Sequence, residues 1–316
     1  MAKQGKHGIS WCEETWNPIR GCSRVSEGCR NCYAERVAAR FSGSGRPYEG
    51  LAIYKNSNPH WTGEIKFIEE HLEDPIHWKR PRMIFVNSMS DLFHEKVSDE
   101  WLVKIFNVMI QSEQHTFQCL TKRPERMLAW MRHLYEGRIS PAPPHNVWMG
   151  VSVEDQKTAD ERIPLLLQTP AAIRWVSYEP ALGPVDFTNL CSPNFTNAFG
   201  HSFGLPNLDW IVCGGESGPN ARPMHPSWAR AVRDQCVAAG VAFHFKQVGE
   251  WGWSYGKPTG TPGRFAIVPE RGGHAVEVSE YPRHFDSFGS AVLEWVGKRA
   301  AGRALDGREW NQFPIL

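Results

Sequence analysis

Arg82-Met83-Ile84-Phe85-Val86-Asn87-Ser88-Met89-Ser90-Asp91 passes from apolar to polar within one short stretch. Met83 to Val86 reads as a buried strand, because its side chains are apolar without alternation, as in a strand covered on both faces. The tip that follows carries residues able to do chemistry: Asn87, Ser88, Ser90 and Asp91. Beyond it, Trp101, Leu102, Ile105, Phe106, Met109 and Ile110 recur at helical spacing. Strand, polar tip and helix form the unit whose repetition decides the fold.

The unit recurs toward the C terminus. Thr116–Leu120 is followed by Thr121-Lys122-Arg123, and Pro124 opens a helix at its first turn. Val147–Val151 ends in Ser152-Val153-Glu154-Asp155, and a helix through Ile163 and Leu166 follows, with Pro164 leaving its path open. Ile173–Ser177 ends in Tyr178-Glu179-Pro180. Leu208–Cys213 ends in Gly214-Gly215-Glu216-Ser217-Gly218, and Pro226 starts a helix that Gly240 stops. Val241–Phe245 ends in Lys246-Gln247. Apolar strands separated by helices predict a parallel sheet with both faces covered. The expected class is α/β: a full or partial (β/α) TIM-like barrel, whose active site gathers at the C-terminal strand ends. An open doubly wound sheet is the rival, although no Gly-x-Gly-x-x-Gly follows the first strand.

Toward the N terminus, Gly21-Cys22-Ser23-Arg24-Val25-Ser26-Glu27-Gly28-Cys29-Arg30-Asn31-Cys32-Tyr33-Ala34 crowds three cysteines onto one loop. Ile9-Ser10-Trp11 is the expected first strand, Asn17–Gly21 breaks it, and Tyr33–Phe41 reads as a helix. Residues 42–63, rich in Gly, Ser, Pro and Asn, read as irregular. Thiolates this close repel unless a metal neutralises them. A [4Fe–4S] cluster held by three leaves one iron open. A structural zinc site is closed by four, and Cys12 can supply the fourth. Both metals stand at this point.

At 316 residues and 41% hydrophobic, the chain can bury a large core. It is read as a single barrel domain over 1–316, with a polar insertion at about 188–207 and a loop/helix extension over about 250–316 that ends in a helix from Ser287 to Ala301. No apolar run is long enough to span a membrane and no signal peptide opens the chain, so a soluble, cytoplasmic protein is expected. In a reducing cytosol Cys119, Cys213 and Cys236, set in apolar patterns, read as ordinary buried thiols. A formal charge of +1 excludes constitutive coating of nucleic acid but leaves two local basic patches, Lys79/Arg80/Arg82 and Lys122/Arg123/Arg126. Trp101, Trp130, Trp148 and Trp175 read as core, and Trp16, Trp251 and Trp253 as loop residues suited to substrate contact.

The cysteine loop followed by repeated strand–helix units resembles the radical S-adenosylmethionine (SAM) superfamily. More narrowly, the chain is similar to a phage-associated family of radical-SAM-like proteins with a three-cysteine motif. The likeness rests on Thr15-Trp16-Asn17-Pro18, Gly21-Cys22, Gly28-Cys29 through Cys32-Tyr33-Ala34, Ser88 through Phe93, Leu120 through Pro124, Gly150 through Glu154, Ser177 through Pro180, Gly214 through Gly218, Phe245-Lys246-Gln247 and the tail Ala301 through Arg308. The superfamily's common loop is Cys-x3-Cys-x2-Cys, whereas this one is Cys22-x6-Cys29-x2-Cys32. Gly214-Gly215-Glu216 looks like the superfamily's SAM-binding Gly-Gly-Glu but follows a late strand.

The resemblance implies a radical SAM barrel in which Cys22, Cys29 and Cys32 ligate a [4Fe–4S] cluster and SAM chelates the open iron. Reduction, by a donor such as flavodoxin or ferredoxin, then yields a 5′-deoxyadenosyl radical that abstracts hydrogen. Ser88, Ser90, Asp91, Ser152, Glu154 and Glu216 are the expected SAM contacts, and Tyr178, Glu179 and Lys246 the expected catalytic groups. The association with phages implies action in a host cytoplasm on a modified DNA or other nucleic-acid base, such as isomerisation of an amino-acid adduct on a thymine methyl carbon. A lyase acting on a base photoproduct is a second form. Lys79, Arg80, Arg82, Lys122, Arg123, Arg303 and Arg308 would then track phosphates, and Trp251 or Trp253 would support an extruded base. From a different class comes a non-catalytic interaction protein with a four-cysteine zinc site.

Overall fold

The computed structural model describes residues 8–135, 142–190, 205–254, 260–282 and 289–315. Most of the expected insertion at 188–207, Cys191 and the expected helix start at Ser287 lie outside the described residues. β1 (Glu14–Trp16) and β2 (Ile19–Arg20) precede the cysteine loop, and α1 (Tyr33–Arg40) follows it. β3 (Ala52–Lys55) and β4 (Asn58–Trp61) form a hairpin, and β5 (Lys66–Phe67) pairs with β2. A short α2 (Asp74–His77) leads into the alternation β6 (Met83–Val86), α3 (Asp99–Gln111), β7 (Thr116–Thr121), α4 (Pro124–Tyr135), β8 (Val147–Val153), α5 (Gln156–Gln168) and β9 (Ile173–Tyr178). β10 (Trp210–Gly214), α6 (Pro226–Ala239) and β11 (Ala242–Gln247) continue it. β12 (Trp251–Trp253), β13 (Pro262–Pro269), β14 (Val276–Glu280), β15 (Ser290–Trp295) and α7 (Lys298–Ala301) complete the chain.

The order β1-β6-β7-β8-β9-β10-β11 makes one seven-stranded sheet. β1 with β6, β6 with β7, β7 with β8 and β10 with β11 are parallel pairs. The α/β class is as expected, and the flanked parallel sheet is that of a partial β/α barrel. Among the described residues no helix is long and apolar enough to cross a membrane.

The chain divides into two compact units, residues 1–152 with 165–175 and residues 153–164 with 176–316. In the first, Ile84, Val86, Phe117 and Cys119 are buried strand residues, and α3 lays Leu102, Ile105, Phe106 and Met109 into the core. Ser98 caps α3, its Oγ accepting the N–H of Trp101 at 3.3 Å. In the second, Trp210, Phe243 and Phe245 are fully buried. Gly215 serves a close approach there: a Cβ would stand 1.9 Å from the carbonyl oxygen of Val248.

Four expectations are corrected. The first sheet strand is Glu14–Trp16, because it is this segment, and not Ile9–Trp11, that registers on Ile84–Val86. Within 42–63 the β3–β4 hairpin turns through Asn56 and Ser57, both left-handed at φ 49° and 62°. The C-terminal region is a four-stranded antiparallel sheet, β12-β15-β13-β14, and Ser290–Trp295 is one of its strands, not a helix. Trp16 and Trp251, read as loop residues, are 2% and 1% exposed. The Trp251 indole N–H donates to the carbonyl of Ala221 at 2.7 Å. Trp253 lies in β12 beneath the guanidinium of Arg230, 5.4 Å from its ring centre.

Candidate functional site

The cysteine loop is fastened at both ends within the first unit. Gly21, before Cys22, bridges in parallel fashion to Ser90. It takes φ 96°, and a Cβ there would lie 2.1 Å from the carbonyl oxygen of Glu64, so only glycine fits. At the other end Tyr33, after Cys32, donates its hydroxyl to the carbonyl of Ser88 at 2.6 Å. The β6 tip therefore holds the cysteine loop at both ends.

Ser23 adds a third fastening. The Nη2 of Arg123 donates to its Oγ at 2.7 Å and to its carbonyl at 3.3 Å. His94 stands 2.8 Å from the same Oγ through Nε2. His94 Nδ1 accepts the N–H of Lys96 at 3.2 Å, so the proton sits on Nε2, which donates to Ser23. Burial, then the Arg123 charge, lowers the pKa of His94 and keeps it neutral. Arg24 turns the other way: its guanidinium clasps the carboxylate of Glu35 at 2.5–3.1 Å, with Glu35 buried on the inner face of α1. The long Cys22–Cys29 interval is thus pinned to two different elements.

Two of the three thiols are pushed toward their neutral form. Burial raises the pKa of Cys22, Asp91 raises it further, Arg123 opposes, and Cys32 and Cys29 add to the rise. Cys32 is raised chiefly by burial, with Cys29 contributing. Among the described residues no three His, Cys, Asp or Glu side chains already stand as a ligand shell. The donor chemistry fits a thiolate-held metal: three soft sulfur ligands, Cys22, Cys29 and Cys32, stand on one short loop. Cys12 is buried before β1.

The expected SAM contacts in this unit have internal work. Ser88 Oγ donates to Asn17 Oδ1 at 3.1 Å, and Ser90 Oγ to the carbonyl of Ile19 at 2.9 Å. Asp91 Oδ1 accepts from Phe93 N–H and Thr121 Oγ1 at 3.0 and 2.7 Å. Its Oδ2 accepts from Lys122 N–H and Arg123 Nη1 at 3.1 and 3.0 Å. Ser152 is buried in β8. Arg123, expected as a phosphate contact, is bonded to Asp91, Glu95 and Ser23 and braces the loop. Arg82 is similarly occupied, 2.9 Å from Glu14 and over the ring of Trp78, while Lys79 and Arg80 are exposed.

In the second unit Glu154 and Glu216 are each held by an arginine. Arg162 Nη1 lies 3.2–3.3 Å from the Glu154 carboxylate, and Arg222 meets Glu216 at 2.6–2.9 Å. Lys246 Nζ contacts both oxygens of Glu179 at 2.7 and 2.8 Å, and Gln247 Nε2 joins at 3.2 Å. The Tyr178 hydroxyl donates to the carbonyl of Gly183, and burial raises its pKa well above the usual phenol value. Arg303 donates to Asn311, and Arg308 stacks over Trp310.

Sequence reasoning missed Glu35, His94 and the bracing role of Arg123. Their partners lie 11, 71 and 100 residues away in the chain, so no local pattern marks them. The family model described as "Protein of unknown function (DUF5131)" matches residues 6–314, and the chain belongs to that family. No curated protein and no solved structure matches it.

Proposed function

We propose that this chain, as a member of that family, is a radical SAM enzyme. In this reading Cys22, Cys29 and Cys32 hold a [4Fe–4S] cluster, SAM binds the iron they leave open, and the substrate is a base in modified nucleic acid. Isomerisation of an amino-acid adduct on thymine is the reaction it favours. The observation that carries the reading is a loop of three cysteines, Cys22, Cys29 and Cys32, tied at both ends to the β6 tip. When bound, the cluster and SAM supply one-electron chemistry that ends in hydrogen abstraction.

The chain's own residues position and neutralise. Arg123 fixes the residue after Cys22 and brings a positive charge toward its thiol. Tyr33, the residue after Cys32, ties that end of the loop to the carbonyl of Ser88. Glu179 and Lys246, a mostly buried ion pair at two strand ends, hold a carboxylate and an ammonium in fixed positions toward substrate. Tyr178, whose buried hydroxyl is held by Gly183, supports the turn beside them. Lys79 and Arg80, exposed before β6, are the cations kept for phosphates. A small one-electron donor such as flavodoxin or ferredoxin is the implied partner.

Anaerobic purification tests the reading. A brown protein with iron and sulfide in near-equal amounts that forms 5′-deoxyadenosine from SAM, faster with phage-modified DNA, is the expected result. A colourless protein with one tightly held zinc would overturn it.

A further inference from the structure

Asn87 directly follows β6, with φ 58°, and is 2% exposed. Its backbone is fully engaged: its N–H donates to the carbonyl of Trp16 at 2.8 Å, and its carbonyl accepts the N–H of Ser90 at 3.2 Å. Its side chain is not. Among the described residues neither Oδ1 nor Nδ2 has a hydrogen-bond partner, and no other described side chain is orphaned at two atoms. A buried amide that bonds to nothing destabilises the fold. The left-handed backbone alone would be served by glycine without that cost. Around it, Ser88, Ser90 and Asp91 are all spent on internal bonds. The same tip is where both ends of the cysteine loop are fastened, through Ser90 and Ser88.

We propose that the Asn87 amide recognises a nucleobase edge that presents an amino group beside a ring nitrogen, with the adenine of an adenosyl ligand as its source. This rests on the reading that such a ligand binds beside the cysteine loop. An amide sets one donor and one acceptor side by side, the complement of adenine N6 and N7. The depth of Asn87 selects a neutral partner, since a charge brought there needs a counter-ion. The tip's carboxylate, Asp91, is already matched by Arg123.

The test uses the full chain, reconstituted with iron and sulfide, and measures binding of S-adenosylhomocysteine, its 7-deaza analogue and a single-stranded oligonucleotide. Asn87→Gly keeps the left-handed backbone and removes the amide; Asn87→Asp keeps the shape and replaces the donor. Both are expected to keep iron content and to weaken S-adenosylhomocysteine about ten- to a hundredfold, the loss of one bidentate base contact. The 7-deaza analogue should bind the native chain more weakly than the parent compound, and Asn87→Gly should no longer tell the two apart. Ligand-free Asn87→Gly should melt no lower than the native chain. If Asn87→Gly binds S-adenosylhomocysteine and the oligonucleotide as the native chain does, the amide serves only the backbone and the inference falls. Selective loss of the oligonucleotide keeps the edge chemistry and assigns it to a substrate base. If the iron-loaded native chain binds no adenosyl compound, the cofactor reading fails separately, and the oligonucleotide arm alone then decides the role of Asn87.

Discussion

Glu35, 1% exposed on α1, receives the guanidinium of Arg24 from eleven residues upstream, with Nη2 and Oε2 2.5 Å apart. The pair folds the Cys22–Cys29 interval back onto the helix that Cys32 opens. Glu35 also accepts the N–H of Trp61 at 2.8 Å, which joins the β3–β4 hairpin to the same carboxylate. Glu35→Ala is expected to cost about 2 kcal/mol in urea unfolding. That is below the cost of breaking a fully buried pair, because Arg24 is 34% exposed. Glu35→Gln, which keeps the Trp61 bond, should cost less.

Replacing Cys22, Cys29 or Cys32 with Ala should each abolish metal binding, read as iron and sulfide content and loss of the visible absorption band. Cys12→Ala should leave both intact, since three ligands suffice. Equal loss in all four variants, with zinc recovered from the native chain, would favour the closed four-cysteine site.

Arg123 cannot serve as a clean test of nucleic-acid contact, because Arg123→Glu would place a third acid beside Asp91 and Glu95 and release Ser23. The exposed Lys79 and Arg80 can. Lys79→Glu with Arg80→Glu should weaken oligonucleotide binding uniformly across sequences and flatten its salt dependence by about two in log–log slope. The metal content should not change. An unaltered slope would remove these cations from the interface.

Burial, with Arg303 and Lys246 adding to it, pushes the pKa of His244 down to about 3. The folded state therefore keeps it neutral while the unfolded chain takes up a proton below about pH 6.5. Stability from this residue is complete above that value and drains away as pH falls toward the folded pKa, by on the order of 3 kcal/mol at pH 4. His94, His115 and His225 are lowered in the same direction, chiefly by burial. Denaturant midpoints between pH 7 and pH 4 should show the decline, and His244→Phe should shallow it.

Gly215→Ala should destabilise the second unit, because its new methyl group would press on the main chain at Val248, which has no flexible side-chain end to yield. A drop of several degrees in melting temperature is expected, against no change for Ala at the open position Gly43, where the nearest atom is 3.8 Å away.

The strands from Met83 to Gln247 were legible because each is a short, largely apolar run that ends in a polar tip. Pro226 and Gly240, for example, bracket α6 as read, with Gly240 left-handed at φ 71°. β1 was not legible: Glu14-Thr15-Trp16 is short and half polar, and it is a strand only because β6 receives it. Ser290-Ala291-Val292-Leu293-Glu294-Trp295 contains good helix formers, yet pairing with β12 and β13 overrides that preference. At the site, residue types were readable and their engagements were not. Asp91 and Ser90 looked available because Thr121, Arg123 and Ile19 meet them only once the chain has folded.

A loop clamped through Gly21, Ser23 and Tyr33 has surrendered most of its conformational freedom before any ion reaches it. Unlike a zinc finger, whose ligands are organised by the metal they bind, this loop takes its order from the β6 tip. On the proposed reading, metal capture and folding are separable events. The stripped chain should melt cooperatively, shield the Gly21 and Ser90 amides from hydrogen exchange, and accept iron and sulfide without first being unfolded.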